Sequence, residues 1–335
     1  MFEQHTFGKY RIVESEGDVL VLELFWQDGS YRSEPAQIKI VVDRHAHARH
    51  AQGAAYRAVP AHDAVTGARR SRMGDRKGRP YIMIDVGAYL RRIGYDGPTV
   101  PAIDTLRALH GAHLLAVPFE NLDIHLGRPI VLDEARLFAK IVGERRGGFC
   151  YELNGLFAAL LRALGFRVTL HSARVYDGDG RYGQEFDHLV LVVSLEERWL
   201  ADVGFGDSFR LPLRLDERGD QVQDGHAYRI ADQGDHLTML EHGEDGAVLD
   251  GYAFTLQPRR LEEFAGMCHY HQTSPESSFT QKRICSRATP EGRVSLSDNR
   301  LIITERGERR EVALGSQEEY AAALREHFGI ELDGA

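Results

Sequence analysis

Residues 145–155 read Arg-Arg-Gly-Gly-Phe-Cys-Tyr-Glu-Leu-Asn-Gly, and this stretch decides how the fold is interpreted. Its two glycines predict a sharp backbone turn, and the apolar run that follows predicts a helix from about Cys150 to Gly165. Unpaired N–H groups and the helix dipole favour an anion at a helix N-terminus. We therefore expect the pKa of the Cys150 thiol to fall from about 8.5 toward or below neutrality, as a nucleophile requires.

A cysteine nucleophile also needs a general base and a group that orients the base. His188 opens the apolar run HLVLVVSL, which predicts a strand, and Asp202 lies among apolar neighbours in ADVGFG. Taken alone, a histidine such as His188 is more often structural, and an aspartate such as Asp202 is more often a turn residue. A buried carboxylate is costly unless it is paired, however, and adjacent strands would bring the two side chains together. The sequence therefore predicts a catalytic triad of Cys150, His188 and Asp202.

The composition indicates a globular enzyme in a reducing compartment. The chain has 335 residues, a formal net charge of −9 and 43% hydrophobic residues, which argues against a nucleic-acid-binding protein. Its three cysteines include no CxxC pair, and Cys268 and Cys285 are interpreted as structural. No signal peptide or membrane-spanning run is visible. We expect a cytoplasmic protein that binds no metal, nucleic acid or membrane.

The sequence pattern changes along the chain and predicts an α+β fold in five parts. Helical patterns come first in the compact region, strands follow, and the tail is mixed. The parts are a possible small β module, a flexible basic linker, a helical region with Cys150, a barrel or sheet with His188 and Asp202, and a mixed region: 1–43, 44–80, 81–165, 166–256 and 257–335.

Several local signals predict where these elements begin. Asp104 is expected to cap a helix through TLRALHGAHLLAV, and a later helix is expected over 259–268. The linker contains Met73, which could be an alternative start. Its four histidines could bind a metal, but solvent-exposed histidines in a linker are far commoner: His45, His47, His50 and His62.

Taken together, the motifs resemble those of the arylamine N-acetyltransferases. RGGFCYELN is followed by DHL and then by DVGFGD, with 38 residues from Cys150 to His188 and 14 more to Asp202. RIGYDGP and VPFENLD upstream, and TSPESSFTQKRICS and GRVSLSDNRLII downstream, resemble further segments of the family. The resemblance covers about residues 82–335, and residues 1–80 lie outside it.

The resemblance implies a fold of three consecutive parts, a helical bundle, a β-barrel and an α/β lid. It also implies the same triad and a two-step reaction. Cys150 would take the acetyl group of acetyl-CoA as a thioester, and an arylamine or arylhydrazine would then attack it. N-hydroxyarylamines would be acetylated on oxygen by the same route.

The resemblance further assigns residues around the triad. Glu120 and Arg146 match a buried charged pair behind the nucleophile, although two solvated charges would explain them as well. Phe119 would line the acceptor pocket, with plain core packing as the alternative. Three residues match positions near the pantetheine arm or the acyl site: Val175, Phe205 and Gly206.

Other functions share these motifs. An amide synthase of the same superfamily would keep the triad and close a macrolactam on a carrier-bound polyketide. A Cys-His-Asp hydrolase or a transglutaminase-like enzyme would use the same three residues in the same order. A non-catalytic binding protein would leave Cys150 unreactive.

Overall fold

A computed structural model gives the fold of residues 7–16, 19–26, 36–41, 84–178, 181–243 and 247–332, the first three ranges by their backbone only. Contacts divide the chain into two units, Met1–Gly74 and Asp75–Ala335. The predicted linker, with its four histidines and Met73, lies outside the described residues. The five-part division of the chain remains a prediction.

The N-terminal unit contains one antiparallel sheet in the order β1-β2-β3. Each strand coincides with a β-like run of the sequence, and the pairing of the first two strands shifts by one residue between Ile12 and Glu14. The strands are β1 (Phe7–Glu16), β2 (Val19–Trp26) and β3 (Ala36–Val41).

Helices and one very short strand open the second unit. Asp85 caps the first helix by accepting a hydrogen bond from the N–H of Ala88, and Asp133 caps the fourth in the same way. The predicted cap Asp104 is wrong, because the second helix starts at Ile103 and Asp104 lies in its first turn. The elements are α1 (Val86–Arg92), α2 (Ile103–Ala116), β4 (Phe119–Glu120), α3 (Leu122–His125), α4 (Glu134–Phe138), a π-helical turn (Ala139–Gly143) and α5 (Cys150–Ala163).

Helix α5 is the centre of the core. Every residue from Cys150 to Leu161 is buried, so this helix is enclosed on all sides rather than amphipathic. It ends at Ala163 with Leu164 as the C-cap, and Gly165 follows with a φ of 91°. The left-handed conformation suits glycine, as expected of a residue that stops a helix. The nucleophile therefore stands on a rigid, fully packed support.

Eight antiparallel strands form a nearly closed barrel in the order β8-β7-β6-β5-β12-β11-β10-β9. Gln221 helps to close it, because its side-chain amide exchanges hydrogen bonds of 2.7 and 3.0 Å with the backbone of Arg214 in β8. The strands are β5 (Arg167–Val175), β6 (His188–Ser194), β7 (Arg198–Ala201), β8 (Leu213–Arg214), β9 (Gln221–Gln223), β10 (His226–Gln233), β11 (His236–His242) and β12 (Val248–Phe254).

The last part packs helices on a sheet in the order β16-β15-β14-β13-β4. Glu120 of β4 is the cross-strand partner of Cys285, so β4, which precedes α5 in the chain, belongs to this sheet. The predicted helix over 259–268 starts later and runs further. The elements are a 3₁₀ turn (Leu261–Phe264), α6 (Ala265–Thr273), α7 (Ser278–Gln281), β13 (Ile284–Thr289), β14 (Gly292–Ser297), β15 (Arg300–Glu305), β16 (Glu308–Ala313), α8 (Gln317–Ala323) and a π-helical turn (Leu324–Phe328).

The architecture is α+β, as predicted. Within the described ranges, none of the helices has both the length and the apolar character needed to cross a bilayer.

Candidate active site

Gly147 and Gly148, which precede Cys150, have no room for a side chain because neighbouring atoms approach them closely. A Cβ added to Gly147 would lie 1.9 Å from the carbonyl oxygen of Pro118, and one added to Gly148 would lie 2.7 Å from the side chain of Glu152. Neither glycine has a positive φ, so the predicted reason, conformational freedom, gives way to a steric one. The Glu120 N–H donates to the carbonyl of Gly148 over 2.8 Å, which locks this segment against β4.

Cys150 is the first residue of α5 and is 3% exposed. The backbone N–H of Tyr151 points at its sulfur and lowers the pKa, as a helix N-terminus should. Burial outweighs this contribution and raises the pKa of the Cys150 thiol well above its ordinary value. The predicted fall in this pKa is therefore wrong for the resting site. The thiolate must instead form together with a protonated partner.

His188 and Asp202 form a directly hydrogen-bonded pair. Nε2 of His188 donates to Oδ2 of Asp202 over 2.7 Å, and both side chains are buried. Burial alone would raise the pKa of Asp202, but His188 and hydrogen bonds from Asn154 and the N–H of Gly204 lower it below its ordinary value. Asp202 thus stays ionised and orients the imidazole. Nδ1 of His188 is left available for proton transfer.

Asn154 ties the nucleophile's helix to both of these residues. Its side-chain N–H groups donate to Oδ1 of Asp202 over 2.8 Å and to the carbonyl of Leu189 over 2.7 Å. Its Oδ1 accepts from the N–H of Val203 over 2.9 Å. Asn154 lies one turn after Cys150, and residues four apart share a helix face. That spacing was a signal in the sequence, but the role of Asn154 was not predicted.

The backbone of α5 also touches the strand ends directly. A Cβ added to Gly204 would lie 2.8 Å from Cα of Cys150 and 2.8 Å from Nδ2 of Asn154. The segment after Asp202 therefore packs on the first turn of α5. Together with the bonds of Asn154, this contact brings the three predicted triad residues to one place.

His110 of α2 forms a hydrogen bond with the backbone of Asp202. Its Nε2 accepts from the N–H of Asp202 over 3.1 Å, and its Nδ1 donates to the carbonyl of Arg210 over 2.8 Å. Burial lowers the pKa of His110 to about 4, so the ring is neutral at pH 7 and its tautomer is set by these two partners. Its ring stacks on Phe209. The leucine pattern of α2 gave no signal for this role.

A cluster of buried charges lies on the other side of the nucleophile's turn. Arg146 donates to Oε1 of Glu120 over 2.8 and 3.1 Å, so the structure brings the predicted pair together. It also donates to Asp123 over 3.0 Å. Nζ of Lys140 lies 2.8 Å from Asp123 and 2.8 Å from Glu152. We call these five residues the charge cluster; only two of them were predicted from the sequence.

The charge cluster holds three carboxylates against two cations, so one negative charge is unbalanced. Burial raises the pKa of Glu152 to about 7, although Lys140 acts in the opposite direction. The neighbouring carboxylates overcome the burial of Lys140 and raise its pKa, so the ammonium group stays charged. Oε2 of Glu152 accepts from the N–H of Phe149 over 3.1 Å and so holds the start of α5.

The remaining predicted residues lie around this centre. The ring of Phe205 is 5.1 Å from the rings of both His188 and Tyr252. Gly206 follows with a φ of 94°, a conformation that favours glycine. Val175, the last residue of β5, is the cross-strand partner of Tyr252. The ring of half-buried Phe119 lies 6.1 Å from that of Phe279.

The other two cysteines have structural surroundings. Burial raises the pKa of Cys268 to about 12, and its sulfur accepts a hydrogen bond from Gln272 over 3.3 Å. Cys285 is fully buried in β13, and burial raises its pKa well above its ordinary value. In the part of the chain that the structure describes, no three His, Cys, Asp or Glu side chains are arranged to hold a metal ion.

Comparisons with known proteins identify the family of the chain. A family model described as N-acetyltransferase matches residues 102–335. The chain is 36% identical over 283 residues to the arylamine N-acetyltransferase pineal gland isozyme of Gallus gallus, covering 75% of this chain and 95% of that protein. It is also 36% identical over 259 residues to the arylamine N-acetyltransferase of Mycolicibacterium smegmatis, covering 75% and 94%.

Solved structures show the same fold. The Mycobacterium marinum arylamine N-acetyltransferase in complex with CoA matches with a TM-score of 0.68 at 33% identity, over 73% of this chain and 93% of that one. The Nocardia farcinica arylamine N-acetyltransferase matches with a TM-score of 0.68 at 37% identity, over 75% and 91%.

Proposed function

This chain belongs to the arylamine N-acetyltransferase family, and we propose that it transfers the acetyl group of acetyl-CoA to arylamines and arylhydrazines through Cys150, His188 and Asp202. The observation that supports this most is the set of hydrogen bonds by which Asn154 joins the helix of Cys150 to Asp202 and to the strand of His188. N-hydroxyarylamines would be acetylated on oxygen at the same site.

In the first half-reaction, the thiol proton of Cys150 passes to Nδ1 of His188. The thiolate attacks the acetyl carbonyl of acetyl-CoA, the bond from that carbon to the CoA sulfur breaks, and His188 returns the proton to the departing thiolate. Because burial raises the pKa of the thiol, the thiolate needs the imidazolium of His188 as its partner. Asp202 stabilises the imidazolium that forms between the two events.

In the second half-reaction, the amine nitrogen attacks the acetyl-cysteine carbonyl. The nitrogen gives its proton to His188, the carbon–sulfur bond breaks, and the proton returns to the sulfur of Cys150. An arylamine is neutral at pH 7, so its lone pair is free. The backbone N–H groups at the start of α5 are the donors that would stabilise the tetrahedral oxygen.

The residues around the triad would form two parts of the site, one that binds the acetyl donor and one that binds the amine acceptor. Phe205 and Gly206, next to His188, would contact the pantetheine arm or the acyl group, as would Val175 at the end of β5. Phe119, beside Phe279, would line the acceptor pocket. A cytoplasmic location is part of the proposal, and three free cysteines in the described residues support it.

The proposal is tested by intact-mass analysis after mixing the protein with acetyl-CoA. We expect wild type to gain one acetyl group and to lose it on addition of 5-aminosalicylate or isoniazid. Cys150→Ala should gain none and should have no measurable turnover. Cys268→Ala is the matched control, because its thiol is buried beside the same core, and it should still be acetylated. Wild-type turnover in Cys150→Ala would contradict the mechanism.

The same measurement separates the alternatives. An amide synthase would keep a reactive thiol but form no acetyl-enzyme, and the relatives named above do not favour it. A hydrolase or transglutaminase-like enzyme would show peptidase or glutaminase activity without acetyl transfer.

A further inference from the structure

A second carboxylate–imidazole pair lies beside Cys150 and has no part in the triad. Oδ1 of Asp187 is 3.1 Å from Nε2 of His271, a residue of α6. Nδ1 of His271 shares a hydrogen bond of 3.1 Å with Oγ of Ser277. His271 is buried, with 9% of its side chain exposed, whereas 21% of the Asp187 side chain is exposed. The carboxylate is thus the accessible member of the pair.

The backbone at Asp187 is fixed by the residue next to the nucleophile. The Tyr151 hydroxyl is shared between the carbonyls of Phe186, at 2.8 Å, and Asp187, at 3.0 Å. Phe186 has a φ of 69°, and its N–H donates to Oγ of Ser172 over 2.7 Å. A non-glycine residue in this conformation costs on the order of 1 kcal/mol and persists where the surroundings hold it. Asp187 is therefore held beside Cys150 by strained, well-bonded backbone.

The pair is continuous with the predicted acceptor pocket. The ring of His271 lies 5.2 Å from that of Phe279, which in turn lies 6.1 Å from that of Phe119. Burial is the largest cause of the raised pKa of Cys150. The Asp187 carboxylate is close enough to the sulfur to raise this pKa further, as Asp202 does. Unlike Asp202, it accepts no hydrogen bond of good geometry from the residues that the structure describes.

Geometry leaves both members of the pair able to bind a ligand. His271 is more than nine-tenths buried, and within the described ranges its Nε2 has no hydrogen bond of good geometry, because its contact with Asp187 is not aligned. An ionised carboxylate has about four lone-pair sites. A donor placed against Asp187 would thus find an acceptor that is fixed in position and only partly hydrated.

We propose that Asp187, positioned by His271, accepts a hydrogen bond from acceptors that carry an N–H or O–H next to the attacking nitrogen. This selects arylhydrazines and ortho-hydroxyl arylamines, and it disfavours arylamines with an ortho carboxylate by charge repulsion. The inference rests on the proposed function and deepens it. Asp187 binds the acceptor, and His271 is a positioning residue.

Matched acceptors test this selection. The ratio of kcat/KM for 2-aminophenol to that for 4-aminophenol should fall about tenfold in Asp187→Asn, because a hydrogen bond to a charged group is worth about that much. The ratio for 2-aminobenzoate to 4-aminobenzoate should rise severalfold, because the repelling charge is gone. A ratio within one variant cancels any general effect on folding or on acetylation of Cys150.

A second variant tests the position of the carboxylate with the charge retained. A Cβ added to Gly183 would lie 2.4 Å from Oδ2 of Asp187, so Gly183→Ala should displace the carboxylate and lower the aminophenol ratio. Glu185→Gln is the control, because Glu185 is exposed and pairs with Arg259, and both ratios should stay at their wild-type values. His271→Asn should lower the aminophenol ratio less than Asp187→Asn does.

Two outcomes count against the inference and are distinguishable. If Asp187→Asn forms the acetyl-enzyme and transfers the acetyl group with both ratios unchanged, the inference fails and the proposed function stands. If wild type forms no acetyl-enzyme, the proposed function fails and the inference fails with it.

Discussion

Two buried polar clusters contact the first turn of α5, and they differ in the charges of their members. On one side, the Asp202 carboxylate is surrounded by neutral donors and by His188, whose charge must change during the reaction. On the other side, the charge cluster joins three carboxylates to two permanent cations. Apart from His188, the donors that surround the Asp202 carboxylate are neutral, whereas the charge cluster is built from ion pairs.

This difference separates rate from stability. Removing the Asp202 charge leaves only neutral groups behind, so proton transfer fails while folding loses less free energy than it does when the charge cluster is broken. Removing one cation from the charge cluster leaves carboxylates buried without a partner, which costs several kcal/mol of folding free energy. Three predictions test the separation.

The largest effect is expected for Asp202→Asn. Loss of the carboxylate removes the stabilisation of the imidazolium and the orientation of the ring, so the rate of acetyl-enzyme formation should fall about 10³–10⁴-fold. Stopped-flow measurement of CoA release gives this rate. The free energy of unfolding of this variant should fall by less than that of Arg146→Met. A loss of rate below tenfold would mean that His188 does not depend on Asp202.

Arg146→Met tests the charge cluster. It leaves Glu120 and Asp123 with fewer partners in a buried site, so the free energy of unfolding should fall by about 3–5 kcal/mol. Chemical denaturation measures this quantity. Arg198→Met removes a cation from an exposed pair with Asp216 and should cost less than about 1 kcal/mol. Equal losses in the two variants would remove the distinction between the clusters.

The smallest effect is a pH dependence that arises from Glu152. Its pKa in the folded chain, about 7, is raised above the ordinary value of 4.5, so the folded state binds the proton more tightly. The resulting stability is complete below pH 4.5 and is lost as pH rises through 7. The full loss should be about 3 kcal/mol.

Glu152→Gln should remove this loss, so the difference in unfolding free energy between wild type and variant should change between pH 5 and pH 8. The lowered pKa of Asp202 acts at the other end of the scale, because its contribution is lost only as pH falls below 3.8. A constant difference across this range would show that Glu152 stays ionised.

Sequence motifs predicted the catalytic residues because the proposed chemistry is carried by rare residue types in a distinctive order. Asn154 was visible as the residue one turn after Cys150, but an asparagine in a buried helix has many possible partners. His110 was hidden in the leucine pattern of α2. Lys140 and Asp123 reach the charge cluster from a π-helical turn and a one-turn helix, elements too short to leave a periodic signal.

The sequence by itself determined the order of helices and strands and the family, and it predicted the nucleophile and its two partners. These follow from local patterns, since a glycine pair, an apolar run or a helix start depends on neighbouring residues alone. Only the tertiary structure determined the raised pKa of Cys150, the partners of Glu120 and Arg146, and the pairing of Asp187 with His271. Those properties depend on burial and on charges brought together from distant segments, which local patterns do not record.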